Sequence, residues 1–379
     1  MGKQDGSKRE GDIWRALGLM SGTSLDGIDV AVIETDGCYD VRHGFTATYP
    51  YSDAFREQLK AALKDAGQIR APGERPGRLH MLEQYLTELH AEAIGHYLTD
   101  HHIPIDSIDI IGFHGQTVLH RPDAGLTVQL GDGELLARLT GRDVVFDMRA
   151  ADVAAGGQGA PLVPVYHRAA VARVEDRPIA IVNIGGVANV TWIGREGSLM
   201  AFDTGPGNAM LDDWMAAHRG VAHDEGGACA AEGIISEDLV TLYLKNHYFT
   251  APAPKSLDRN AFGLDLVRSL SVEDGAATLT ALAAAGIAKA REHFPEPAAL
   301  WVVCGGGRKN KTLMSMIAER VENAVVPAEA VGLDGDGLEA EAWAYLAVRS
   351  ALGLPLTFPG TTGVLKPMTG GKLVRGAGS

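Results

Sequence analysis

Four short glycine-rich stretches hold most of the residues that could do chemistry on phosphate or on a hydroxyl. The first is Ser21-Gly22-Thr23-Ser24-Leu25-Asp26-Gly27 with Ile28 behind it. Its glycines, hydroxyls and backbone N–H groups suit an anion, with no cationic side chain in the string. Asp26 could hold Mg²⁺ through water, because that ion keeps much of its hydration shell. The second is Asp203-Thr204-Gly205-Pro206-Gly207-Asn208. A carboxylate such as Asp203 can take a proton from a hydroxyl or a water. The glycines let backbone approach a ligand, and a helix N-terminus after them would favour an anion. The third is Cys304-Gly305-Gly306-Gly307, open enough for a flat ring or a sugar, and Gly185-Gly186 after Asn183-Ile184 forms a fourth such turn. Each alone is also an ordinary turn or helix cap. His114 could reach a sugar hydroxyl, and Arg149 could pair with a substrate carboxylate. Glu339 opens a helix beside Asp334 and Asp336.

The elements that must hold these residues alternate between strand and helix. Ile13–Met20 and Ile28–Ile33 are apolar runs around the first turn, and they predict a hairpin. Helices are expected over 53–67 and 78–101, the second with Leu79, Leu82, Leu86, Leu89, Ile94 and Tyr97 at helical spacing. Short strands are expected at Ile108–Phe113, Leu126–Leu130 and Val144–Asp147. A second round opens with strands at Pro178–Ile184, Val187–Ile193 and Leu199–Phe202. After it come an Ala-rich helix over Gly275–Phe294, a strand over Ala298–Val303, a helix from Asn310 and a last one over Leu338–Leu352. The class is α/β. LGLMSGTSLDGIDVAVIE and AIVNIGGVANVTWIG each read as a strand, a glycine turn and a strand. They suggest two similar domains around a cleft, 1–160 and 161–352, with 353–379 packing back on the first and the tail GGKLVRGAGS frayed.

Composition narrows the partners. The 379 residues carry a formal net charge of −14, which disfavours nucleic acid and a membrane surface. Glycine is 47 of 379, about 12%, against a usual level of about 7%. Cys38, Cys229 and Cys304 are far apart and form no CxxC, so free thiols in a reducing cytoplasm are expected rather than disulfides or zinc. The polar start MGKQDGSKREGD has no apolar h-region, and no apolar run reaches the roughly 20 residues that span a membrane.

Joint order says more than any single turn. A phosphate hairpin in the first half, a glycine turn plus DTGPGN in the second, then a strand ending in GGG, is the layout of the actin, hexokinase and heat-shock ATPase superfamily. It implies two ribonuclease H-like domains around an ATP and substrate cleft. Within that superfamily GLMSGTSLDGID (18–29), GFHGQTVLHRP (112–122), DVAAGGQGAPLVP (152–164), NIGGVANVT (183–191), FDTGPGN (202–208) and CGGG (304–307) resemble the anhydro-N-acetylmuramic acid kinase family, over roughly residues 16–365. DMRAAD at 147–152 departs from the more basic strings of that segment. The resemblance implies residues 21–28 as the ATP phosphate loop, Asp203 as catalytic base, Arg149 and Glu339 as sugar-positioning residues, Mg²⁺ as cofactor and a homodimer. A kinase for another sugar or carboxylate is the alternative within the superfamily. A non-catalytic ATP-driven switch would need an appended client domain.

Overall fold

A computed structural model describes residues 8–9, 11–22 and 25–377. Strand β1 (Trp14–Ser21) pairs antiparallel with β2 (Gly27–Thr35), which pairs antiparallel with β3 (Val41–Pro50). Helix α1 (Asp53–Ala66) starts where Ser52 Oγ accepts from the Phe55 N–H at 3.3 Å. After α2 (Leu79–Asp100) come β4 (Ile110–Arg121), β5 (Leu126–Leu130), α3 (Gly133–Thr140) and β6 (Asp143–Phe146). Asp132 caps the start of α3, and Gly141, at φ 68°, ends it. The short helices α4 (Ala150–Ala154) and α5 (Pro164–Ala170) follow.

The second round has β7 (Ile179–Ile184), β8 (Val187–Ile193), β9 (Leu199–Pro206), α6 (Ala209–Arg219), α7 (Ala228–Glu232), α8 (Glu237–Leu244), α9 (Val272–Lys289), β10 (Leu300–Cys304), α10 (Lys311–Val321) and β11 (Ala324–Pro327). The chain closes with α11 (Leu338–Ala351) and β12 (Lys372–Val374).

Two compact units result. One is Met1–Ala172 with Gly337–Ser379, the other Arg173–Asp336. The first sheet runs β12-β6-β4-β1-β2-β3, with β5 paired to β4, and the second runs β11-β10-β7-β8-β9. In the first, β1, β4 and β6 are mutually parallel and β2 and β3 alternate. In the second, β7, β10 and β11 are parallel and β8 and β9 alternate. The two sheets therefore share one strand order and one pattern of directions, that of a ribonuclease H-like domain, present twice as in the actin-like ATPase fold.

The unit boundaries differ from the expected ones. The first unit runs on to Ala172 rather than 160, and the second ends at Asp336 rather than 352. Helix α11 belongs to the first unit because two glycines admit it. A Cβ on Gly18 of β1 would stand 1.8 Å from the Ala340 carbonyl oxygen, and one on Gly112 of β4 would stand 2.0 Å from that of Trp343. The tail is not frayed up to residue 377. β12 pairs antiparallel with β6, Gly376 N–H donates to Asp143 Oδ1 at 3.0 Å, and Ser350 Oγ donates to the Gly370 carbonyl at 2.6 Å.

Candidate active site

In the second unit the glycine turns gather at one end of β7. The Gly185 carbonyl accepts from Asn208 N–H at 2.8 Å, and the Gly186 carbonyl accepts from Gly207 N–H at 2.9 Å. Asn208 Nδ2 donates to the Ile184 carbonyl at 3.3 Å. β10 runs parallel to β7, so its exit turn arrives beside the same residue. A Cβ on Gly307 would lie 2.4 Å from the Ile184 side chain, and one on Gly305, at φ 72°, would lie 2.3 Å from Asn183 Oδ1. Gly306 differs: its Cβ would meet only Asn208 Nδ2, at 3.8 Å. That leaves room for a ligand beside an amide. Gly205 sits apart in role. Its missing Cβ is where the Phe249 ring packs, at 3.0 Å, with Gly286 of α9 behind. It is a packing glycine, not a lining one.

Arg308, two residues past Gly306, braces this turn. It is 7% exposed. Its Nη1 donates to the Gly305 carbonyl at 3.0 Å and to Asp336 Oδ1 at 2.8 Å, and its Nε donates to Glu329 Oε1 at 2.8 Å. The guanidinium hydrogen bond holds the Asp336 carboxyl down at about 2. Sequence reading passed over Arg308, although a cation just after a glycine run was a usable signal.

Asp203 lies on β9 opposite Asn189, where the pairing slips by one residue at Thr204. Such bulges re-aim side chains beside active sites. Leu257 N–H donates to its Oδ2 at 2.7 Å. Its other oxygen, Oδ1, has no hydrogen-bond partner among the described residues. Burial raises the carboxyl from its usual range to about 6, and the Leu257 N–H partly offsets this. A half-satisfied carboxylate with a value near neutrality is suited to taking a proton.

In the first unit three predicted residues converge. Arg149 donates from Nε and Nη2 to His114 Nε2, both at 3.2 Å, and from Nη1 to the Gly159 carbonyl at 2.9 Å. Glu339, in the first turn of α11, acts on Arg149 by charge. Burial lowers Arg149 to about 10, while the charges of Glu339 and Asp152 oppose the fall, so the guanidinium stays charged at neutral pH. Burial, then the Arg149 charge, hold the His114 imidazole well below its usual value. It is neutral, with Nε2 as acceptor. Trp343, 1% exposed, is the plate beneath both. Its ring centroid is 4.5 Å from that of His114 and 5.0 Å from Arg149 Cζ. Reading α11 only for its acids missed it.

The first hairpin is partly structural. Thr23 and Ser24 lie outside the described residues. Ser21, expected at the phosphates, is 0% exposed. Its Oγ donates to Gln116 Oε1 at 2.6 Å and lies 2.8 Å from the Tyr51 hydroxyl, while Gln116 Nε2 donates to the Gly22 carbonyl at 3.1 Å. The side chain is a strut below the turn. Leu25, at φ 56°, and Ile28 are core residues that present only backbone. Gly27 is needed because a Cβ would lie 2.5 Å from the Tyr49 carbonyl oxygen. Gly22 and the exposed Asp26 remain at the turn itself. A cation is also present, contrary to the string alone: Arg56 Nε of α1 donates to the Leu25 carbonyl at 3.0 Å.

The family model for Anhydro-N-acetylmuramic acid kinase matches residues 14–375. The chain belongs to that family. It is a kinase, and so a phosphotransferase. It is 52% identical to Anhydro-N-acetylmuramic acid kinase of Agrobacterium fabrum (strain C58) over 371 residues, 96% of this chain and 100% of that one. It is 51% identical to the protein of the same name from Methylobacterium nodulans, over 95% of this chain and 100% of that one. Among solved structures it is similar, at 12% identity and a TM-score of 0.49, to component A of (R)-2-hydroxyglutaryl-CoA dehydratase from Acidaminococcus fermentans, over 89% of this chain and 99% of that one. No helix among the described residues is long and apolar enough to cross a membrane.

Proposed function

We propose that this member of the anhydro-N-acetylmuramic acid kinase family uses ATP to convert 1,6-anhydro-N-acetylmuramic acid to N-acetylmuramic acid 6-phosphate, as a step of cell-wall recycling in the cytoplasm. The observation that carries the reading is Asp203, with one oxygen held by Leu257 and Oδ1 unengaged beside the glycine turns. The substrate has no free 6-hydroxyl, so its internal acetal must open as O6 is phosphorylated. Asp203 takes a proton from water as the water oxygen attacks the anomeric carbon. The C1–O6 bond breaks, O6 attacks the γ-phosphorus in line, and the bond to the ADP oxygen breaks.

The other residues bind and orient. Gly22, Asp26 and the backbone of Leu25, Gly27 and Ile28 sit at the phosphates, with Gly185, Gly186, Gly207 and Asn208 as the second turn. Gly305–Gly307 take the adenosine side, where the open space at Gly306 suits a ligand. Arg149, Glu339 and His114 orient the sugar, the guanidinium being matched to its lactyl carboxylate. Mg²⁺ fits a hard, solvent-facing carboxylate beside substrate phosphates, so Asp26 would hold it through water and it would neutralise phosphate charge there. The working form is proposed to be a homodimer.

The test is a coupled ATP assay with the anhydro-sugar as sole acceptor in ¹⁸O-labelled water. Label at the anomeric carbon and ADP formed in equal amounts are expected. Asp203→Asn should keep ATP binding and lose turnover by about 10²–10⁴. Parent-rate turnover by that variant, or ADP release without label in the sugar, removes the assignment.

A further inference from the structure

Three hydrogen bonds hold Asp203, and all three come from one stretch, residues 248–257. The Tyr248 hydroxyl donates to the Asp203 carbonyl at 2.5 Å. Asp203 N–H donates to the Lys255 carbonyl at 3.0 Å. Leu257 N–H donates to Asp203 Oδ2 at 2.7 Å. The stretch lies along the open edge of β9 and bonds the Asp203 N–H, carbonyl and one carboxylate oxygen, so the carboxylate keeps one aim only while the stretch stays in place.

Lys255 holds it there. Its Nζ donates to the Tyr248 carbonyl at 2.9 Å, bridging the two ends of the stretch. The ammonium stands 4.8 Å from the Tyr248 ring centre and 5.8 Å from that of Phe202, the residue before Asp203. Cation–π contacts of this kind are stronger where water is scarce. Nζ is also 3.4 Å from His293 Nε2. The charged and titratable groups around the ammonium are Tyr248, Lys289, Glu292 and His293. Among the described residues no carboxylate is within ion-pair distance of Lys255, so its charge is spent on a carbonyl and two rings. A lysine kept there without an ion-pair partner is explained by what it ties together.

We propose that Lys255 is a positioning residue for the proton-accepting carboxylate, clamping residues 248–257 in place against Asp203. The inference rests on the assignment of Asp203 as base, and its test is chosen to separate the two. Lys255→Met keeps the stem that packs on the rings and removes the donor and the charge. With the stretch loosened, water reaches Asp203. Burial is the larger cause of its raised value and the Leu257 N–H the smaller, opposing one, so the carboxyl should fall back toward the ordinary range.

The experiment is a ¹³C-carboxyl titration of the full-length protein labelled at aspartate, with the Asp203 signal identified by its loss in Asp203→Asn. Steady-state rates follow on the same samples. Expected for Lys255→Met are a lower Asp203 titration midpoint, a kcat lower by about tenfold and an unchanged KM for ATP. Tyr248→Phe, which removes only the hydroxyl, should move the midpoint the same way by less, and decides the matter if Lys255→Met does not fold. An unmoved midpoint in a folded variant overturns the proposal whatever the activity. An active Asp203→Asn overturns the base assignment instead.

Discussion

Arg149 points two N–H groups at one nitrogen of His114, each at 3.2 Å. The pairing is possible only if that nitrogen carries a lone pair. The arginine therefore fixes the tautomer of the histidine, and the histidine fixes the plane of the guanidinium. Both rest on Trp343, which α11 presents two residues beyond the buried Glu341.

Arg149→Lys should therefore separate sugar binding from nucleotide binding. A lysine keeps the charge but loses the planar fork. The KM for the anhydro-sugar should rise about 10–100-fold, with the KM for ATP within a factor of two, as read by steady-state kinetics. A parallel rise in both would show that the arginine acts on the fold of the unit instead.

The buried Asp203 predicts two opposite pH effects. Activity needs the carboxylate, so kcat should fall about tenfold per pH unit below about 6. Stability runs the other way. Because its value is raised in the folded state, the folded form holds the proton more tightly than the unfolded chain. That contribution is complete at low pH and is lost as pH rises through about 6. Asp203→Asn should then stabilise the protein by roughly 3 kcal/mol at pH 8 and much less at pH 4.5. Thermal melting at the two pH values checks this.

Gly18→Ala tests the seat of α11. The added methyl would overlap the Ala340 carbonyl oxygen at 1.8 Å, and backbone cannot swing aside as a side chain can. Overpacking of this kind costs roughly 1–3 kcal/mol. A lower melting temperature together with a raised sugar KM is expected, since Glu339 and Trp343 ride on the helix. An unchanged melting temperature would contradict this close approach of α11 to β1.

Arg308→Ala should act on the nucleotide alone. The Cys304–Gly307 turn loses its brace to Glu329 and Asp336, and the KM for ATP should rise about tenfold, the scale of a charged hydrogen bond. Competition with a fluorescent ATP analogue measures it directly.

Much of this was legible in the sequence because the strongest signals were local. Ile179–Ile184, Leu126–Leu130 and Leu300–Cys304 are buried strands, and buried strands read as apolar runs. The strands that were missed lie where burial is weak. β3 exposes most of its length, β11 is a four-residue edge, and β12 is three residues inside a polar tail. β12 also takes its partner, β6, from more than 200 residues back in the sequence. The site divides in the same way. His114, Arg149 and Glu339 are legible as candidates because polar residues flanking apolar runs stand out. Trp343, Gln116 and Lys255 are not, because an aromatic in a helix, an amide in a strand and a lysine in a loop reveal their role only through contacts made at long range.

The position of α11 and β12 also bears on how the molecule is made. The second unit is continuous from Arg173 to Asp336, so all its strands and helices exist once that stretch has been synthesised. The first unit starts earlier and finishes later. Its β1 and β4, with Gly18 and Gly112 bare of side chains, must wait for residues 338–351 to cover them. An apolar sheet face is therefore left uncovered while the rest of the chain emerges, and the half that is translated first is the half that reaches its native state last.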